Sequence, residues 1–87
     1  MKSAKLIRQH LPWSEFLRRG KEWLTKIGPN LMPDRAEDVI AINIETGEYL
    51  LEDDSDEDVR FKFRKKWPGR HPYVSRVNGR AAIRFHG

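Results

Sequence analysis

Apolar and small residues recur at helical spacing over residues 13–27. The stripe that they form consists of Trp13, Phe16, Leu17, Gly20, Leu24 and Ile27. This spacing places all of them on one face of a 3.6-residue repeat and predicts an amphipathic helix. Ser14 is a candidate N-cap, and Gly28 followed by Pro29 predicts the end of the helix. Residues 29–36 then form a linker before the pattern changes.

Over residues 39–51 the apolar residues recur at every second position. Ile40, Ile42 and Ile44 share one face, as in a half-buried strand. Thr46-Gly47 predicts a hairpin turn, because glycine readily adopts the positive φ that a tight turn requires. The chain returns as a second strand through residues 49–51.

Residues 59–66 carry two periodicities at once. Val59, Phe61 and Phe63 alternate as in a strand, but Val59, Phe63 and Trp67 also follow helical spacing. The flanks favour the helix. Asp54 or Ser55 can cap the helix, with Glu57 or Asp58 three residues on as the capping-box partner. Acidic residues lie in the first turn, where they suit the helix dipole. The last turn is basic, with Arg64, Lys65 and Lys66 before Pro68-Gly69. A strand is the alternative.

The dipeptide Asn78-Gly79 is the strongest hairpin signature in the chain. A two-residue turn there predicts strands over residues 73–77 and 80–85, with Val77 opposite Arg80. The register puts Val74 on the core face, and Tyr73, Ser75, Arg80 and Arg84 on the face open to solvent.

Together these elements predict an α+β fold in which an N-terminal helix precedes a ββαββ unit. Two hairpins joined by one helix would form a four-stranded antiparallel sheet covered by that helix. We therefore expect a single domain over 1–87, with an N-terminal helical segment at 1–33 and the ββαββ unit at 38–87. The N-terminal helix either completes the cover of the sheet or projects from it.

Composition narrows the function classes. The chain has 87 residues and no cysteine, which excludes a disulfide framework and a thiolate zinc site. No apolar run reaches about 18 residues, so we expect no membrane span. No apolar stretch follows the basic first residues, so we expect no signal peptide and a cytoplasmic protein.

No catalytic residue, cofactor or metal site is predicted. The acidic run 52–58 does not match an EF-hand loop, because Val59 stands where glycine is needed and Lys65 where a bidentate glutamate is needed. Glu45-Thr46-Gly47 resembles one aspartic protease loop, but a carboxylate pair needs two. The three histidines are isolated from one another along the chain. We therefore expect a protein that is not an enzyme.

Charge is segregated into three blocks. The formal charge is +5 over residues 1–33, −10 over 34–58 and +9 over 59–87, which leaves a net charge of +4. Either the acidic and basic blocks pair within the fold, or the basic end attracts an anionic partner. The residues that could contact an anion are Arg64, Lys65, Lys66, Arg70, Tyr73, Arg80 and Arg84. Tyr73 opposite Arg84 could stack a nucleic-acid base, or the two could form a cross-strand cation–π pair.

The aromatic side of the N-terminal helix offers a different surface. The residues that could contact a protein partner are Trp13, Phe16, Trp23, Leu24 and Ile27. They form core contacts if the helix docks on the sheet, and a groove-binding surface if it projects.

Two hairpin sequences resemble those of a known family. The segment 41–49 reads AINIETGEY and 76–82 reads RVNGRAA. With the helix between them, they resemble a group of small uncharacterised bacterial proteins found in cyanobacteria and planctomycetes. The resemblance covers 38–87 and implies the hairpin–helix–hairpin fold and an antitoxin-like association with a partner protein. Phe61 and Phe63 depart from the alanine- and leucine-rich helix of that group.

These observations predict a non-catalytic protein-interaction module that binds a partner protein, and the resemblance implies that the module is antitoxin-like. The alternative is a nucleic-acid-binding module that uses the basic C-terminal half. A homodimer formed through an edge strand is a further expectation, since a short open sheet leaves its edges unpaired.

Overall fold

The computed structural model describes residues 11–53 and 55–79. These residues form two helices and three strands, joined by turns and loops. In chain order they are α1 (Trp13–Leu31), β1 (Val39–Ile42), β2 (Tyr49–Glu52), α2 (Asp56–Lys66) and β3 (Tyr73–Arg76). The strands form one antiparallel sheet in the order β2-β1-β3. Neither helix in these ranges has the length and apolarity that crossing a bilayer requires.

The predicted four-stranded sheet of a ββαββ unit is wrong. The sheet has three strands over the described residues, and the predicted fourth strand at 80–85 lies outside them. The turn after β3 also differs from the predicted one. The Gly79 N–H donates to the Arg76 carbonyl oxygen at 2.9 Å, so the turn begins one residue earlier than a turn centred on Asn78-Gly79. Gly79 adopts a φ of +90°, which suits a glycine that follows a tight turn.

β1 is the centre of the fold. Its four residues are all buried, because both faces of the sheet are covered in the described structure. Val39 and Ala41 pack against Val59 and Phe63 of α2 on one face. On the other face Ile40 and Ile42 form a cluster with Val77, against which α1 packs through residues that include Leu24, Ile27 and Leu31.

α1 therefore docks on the sheet and is longer than predicted. It continues past Gly28 and Pro29 to Leu31, which packs against the same cluster as Ile40. Gly28 permits a close approach, because a Cβ there would lie 3.2 Å from the Val77 carbonyl oxygen. The peptide bond between Met32 and Pro33 after the helix is cis.

The helical interpretation of residues 59–66 is confirmed, and the strand alternative is wrong. Ser55 is the N-cap of α2, and its Oγ accepts a hydrogen bond from the Asp58 N–H at 3.1 Å. At the other end, the Trp67 N–H donates to the Phe63 carbonyl oxygen. The ring centroids of Phe63 and Trp67 lie 4.7 Å apart. Both rings belong to the cluster between α2 and the sheet.

The first hairpin is also confirmed. β1 and β2 pair with Ile42 opposite Tyr49. The Asn43 N–H donates to the Glu48 carbonyl oxygen at 2.8 Å, and Gly47 adopts a φ of +84° in the loop between the strands.

Candidate functional site

A cleft of about 210 Å³ opens where the start of α1 meets the loops after β1 and before β3. We call it the Trp13 cleft. Its apolar lining comes from Leu11, Trp13, Phe16 and Ile44, and its polar lining from Asn43, Glu45, Arg70 and His71. The sequence predicted two of these residues, Trp13 and Phe16, as contacts for a protein partner and Arg70 as a contact for an anion.

Two stacked aromatic rings form one wall of the cleft. The rings of Trp13 and Phe16 are 5.1 Å apart at an angle of 14°. Phe16 is buried, with 8% of its surface exposed, and it meets the His71 ring edge-on at 6.4 Å. Trp13 keeps 67% of its surface exposed. The Trp13 indole therefore lies stacked on Phe16 at the mouth of an apolar recess.

The charged groups of the cleft neutralise each other. An Arg70 Nη1 to Glu45 Oε2 ion pair of 3.0 Å crosses the rim, and both side chains are about one-third exposed. The pair joins the loop after β1 to the segment after α2. Among the described residues that line the cleft, the charges of Arg70 and Glu45 therefore cancel.

Asn43 is the buried polar residue of the cleft, with 4% of its surface exposed. Its Oδ1 accepts a hydrogen bond from the Glu45 N–H at 3.0 Å. Its carbonyl oxygen accepts from the Thr46 and Gly47 N–H groups. The Nδ2 group has no acceptor in the described part of the chain. Sequence reasoning missed this residue, because a polar side chain between Ile42 and Ile44 is ordinary in the half-buried strand that the alternation predicts.

Most of the predicted protein-contact residues pack inside the fold. Trp23, Leu24 and Ile27 lie against the α1 face of the sheet. The Trp23 Nε1–H donates to the Ile44 carbonyl oxygen at 2.8 Å, which fixes its ring over the hairpin loop. Of the five predicted contacts, Trp13 alone keeps most of its surface exposed in the structure described.

The predicted anion-contact residues that the structure describes lie in three places. Arg64, Lys65 and Lys66 are exposed on α2, while Arg70 is paired at the cleft rim. Tyr73 packs on the α1 face of the sheet, where burial raises the pKa of its hydroxyl. Arg80 and Arg84 lie outside the described residues. Tyr73 is thus separated from the α2 cations by the sheet, because the two helices cover opposite faces.

Part of the acidic block is paired with the basic blocks. Glu52 forms an ion pair with Lys62, and Glu45 pairs with Arg70. Asp56 lies 3.4 Å from Arg60 along α2. Arg64, Lys65 and Lys66 form no ion pair with any residue that the structure describes. Within the same residues, no group of three or more His, Asp or Glu side chains is arranged to hold a metal ion.

The chain matches no protein-family model, no curated protein and no solved structure. The resemblance of segments 41–49 and 76–82 to a group of small bacterial proteins stays a prediction.

Proposed function

We propose that this protein is a non-catalytic interaction module that binds a partner protein through the Trp13 cleft. The observation that carries the proposal is the exposure of Trp13, 67%, at the mouth of an apolar recess. Tryptophan is enriched among the residues that dominate binding energy at protein interfaces. The stacking of Trp13 on Phe16 supports it further, because a ring already held in place loses little freedom on binding.

The size of the cleft favours a side chain over a cofactor. Pockets that bind small molecules typically measure about 300–1,000 Å³. The Trp13 cleft, at about 210 Å³, is smaller than that range. One large apolar side chain from a partner would fill the recess, and Trp13 would cover it. The antitoxin-like character of the module is part of the proposal and comes from the family resemblance.

The test is capture of a partner by the tagged full-length chain at moderate salt, followed by size exclusion and mass spectrometry. We compare the wild type with Trp13→Ala and with Leu17→Ala, a matched control at an exposed position of the same helix. A stoichiometric protein that elutes with the wild type and with Leu17→Ala, but not with Trp13→Ala, is expected. No such protein, or one that Trp13→Ala retains, would overturn the proposal. The elution volume also tests a homodimer through β2, whose outer edge pairs with no strand among the described residues.

A second candidate function is binding of single-stranded nucleic acid by α2. It is favoured by Phe61, which is 62% exposed and has the Lys65 Nζ 5.3 Å from its ring centroid. Arg64, one turn on from Phe61, and Lys66 add two further exposed cations on the same helix. An exposed ring can stack on a base while neighbouring cations neutralise phosphates.

Salt dependence separates this candidate from the first. Binding of a labelled single-stranded oligonucleotide should weaken steeply between about 50 and 200 mM salt if phosphates are neutralised. Lys65→Ala should lower the salt slope by about 1. Lys21→Ala, which removes the same charge from α1, should leave the slope unchanged. No binding at the lower salt concentration, or equal effects of both variants, would exclude the α2 surface.

A further inference from the structure

The Asn43 carboxamide is the feature of the Trp13 cleft that a purely apolar contact leaves unexplained. Asn43 is more than nine-tenths buried, yet its Nδ2 donates to no acceptor among the described residues. Buried polar groups in native proteins are nearly always hydrogen-bonded, so an unpaired donor on a residue that lines the cleft calls for an acceptor from outside the described residues.

The orientation of the carboxamide is fixed by its own loop. Oδ1 must be the atom that faces the Glu45 N–H, because only the oxygen can accept that hydrogen bond. The main-chain N–H and carbonyl of Asn43 are both engaged within the hairpin loop. Nδ2 is thus the one hydrogen-bond donor of this residue that remains for a ligand.

The surroundings define the ligand's chemistry. Phe16, Ile44 and Trp13 provide an apolar lining, which requires an apolar group in the ligand. Arg70 and Glu45 pair with each other at the rim, so the ligand needs no net charge to contact the described lining. An amino-acid residue with a large apolar side chain, within a polypeptide, combines an apolar group, no net charge and a hydrogen-bond acceptor in its main-chain carbonyl.

We infer that the Trp13 cleft binds one large apolar side chain of a partner polypeptide, and that Asn43 Nδ2 donates a hydrogen bond to a main-chain carbonyl oxygen beside it. This inference rests on the proposed function and specifies its binding chemistry. The apolar contact supplies affinity, and the Asn43 hydrogen bond selects a polypeptide over a bare hydrocarbon.

The test uses two small probes that share one ring. N-acetylphenylalaninamide carries the phenyl ring with two amide carbonyl groups, and toluene carries the ring alone. Each is titrated into the ¹⁵N-labelled full-length chain, with the Trp13 Nε1–H and Asn43 Nδ2 resonances as readouts. Both probes are expected to shift the Trp13 signal. N-acetylphenylalaninamide should bind at least about tenfold more tightly and should also shift the Asn43 signal.

The variant Asn43→Asp removes the donor and retains the oxygen that accepts from the Glu45 N–H. It should weaken binding of N-acetylphenylalaninamide at least about tenfold and leave toluene binding unchanged. Retained toluene binding also shows that the cleft is intact. Because the aspartate adds a charge, the comparison of the two probes in the wild type is the independent measurement.

The outcomes separate the two proposals. Equal affinity of both probes in the wild type, with no shift of Asn43, would overturn the assigned hydrogen bond and leave the apolar cleft standing. Failure of both probes to shift Trp13 would overturn the side-chain pocket itself. The protein-interaction function is decided separately, by the dependence of partner capture on Trp13.

Discussion

The ring of Tyr73 lies against the backbone of α1 at Gly20. A Cβ at Gly20 would come within 2.0 Å of Tyr73 Cδ1. Alanine in place of glycine normally stabilises a helix by roughly 0.5–1 kcal/mol. Here the extra methyl would force the ring away, and overpacking typically costs about 1–3 kcal/mol. We expect Gly20→Ala to lower the free energy of unfolding, measured by urea denaturation.

The double variant Gly20→Ala, Tyr73→Leu controls for other effects at Gly20. If the ring causes the loss, Gly20→Ala should cost less in the Tyr73→Leu background than in the wild type. A Gly20→Ala protein as stable as the wild type would show that Tyr73 does not pack on this glycine.

The same contact predicts a pH dependence. Burial raises the pKa of the Tyr73 hydroxyl above its ordinary value of 10.0. A pKa raised in the folded state means that folding favours the protonated hydroxyl. Its stabilising contribution is complete below the unfolded pKa and declines as the pH rises from there through the folded pKa.

Urea midpoints measured from pH 8 to about 11 test this dependence. The stability of Tyr73→Phe should fall less with rising pH than that of the wild type. Tyr49→Phe, which removes the hydroxyl of the other tyrosine of the chain, is the matched control. Identical pH curves for Tyr73→Phe and the wild type would contradict the effect of burial.

At the scale of elements, α2 shows how end signals resolve an ambiguous pattern. Val59, Phe61 and Phe63 fit a strand as well as a helix. The Ser55 cap, the acidic first turn and the basic last turn fit the helix alone. These signals are local in sequence, and the structure forms them as the sequence predicts.

The cap can be tested directly. Ser55→Ala should cost about 1 kcal/mol of stability, because the Asp58 N–H loses its acceptor. Ser55→Asp keeps a side-chain oxygen at the N-cap and should remain close to the wild type. Thermal and urea unfolding measure both variants. Equal stability of the alanine and aspartate variants would mean that Ser55 Oγ contributes nothing as a cap.

α1 could be predicted only in part, because its end depends on tertiary contacts. Proline in a helix interior costs about 3 kcal/mol, so Gly28-Pro29 is locally a stop. The helix nevertheless continues to Leu31, which packs against the sheet. Gly28 lies where the carbonyl of Val77 comes close. Neither contact is visible in the spacing of residues along the helix itself.

The candidate site, like α1, could be predicted where it depends on local spacing and not where it depends on tertiary contacts. The helical stripe identifies Trp13 and Phe16, but the choice between a docked and a projecting helix depends on the second face of the sheet. Tyr73 and Ser75 share a face of the sheet, as the alternation predicts. That face was predicted to be open to solvent, but α1 covers it. Asn43 acquires its role from a loop hydrogen bond and from burial by distant elements, which the sequence pattern does not contain.

At the scale of the whole molecule, the two packed layers share one strand. Val39 and Ala41 face α2, while Ile40 and Ile42 face α1. Each helix buries its apolar side against alternate residues of the same four-residue strand. Loss of β1 would therefore expose both layers.

This arrangement predicts that both layers unfold in a single transition. Trp23 reports on the α1 layer and Trp67 on the α2 layer. Their indole N–H signals, followed by NMR in urea, should disappear with the same midpoint, as expected for two-state unfolding. Phe63→Leu changes only the α2 layer and should cost about 1 kcal/mol. Because β1 is common to both layers, the Phe63→Leu variant should lower the midpoints of Trp23 and Trp67 equally. A shift confined to Trp67 would instead mean that α1 and β1 form a unit stable without α2.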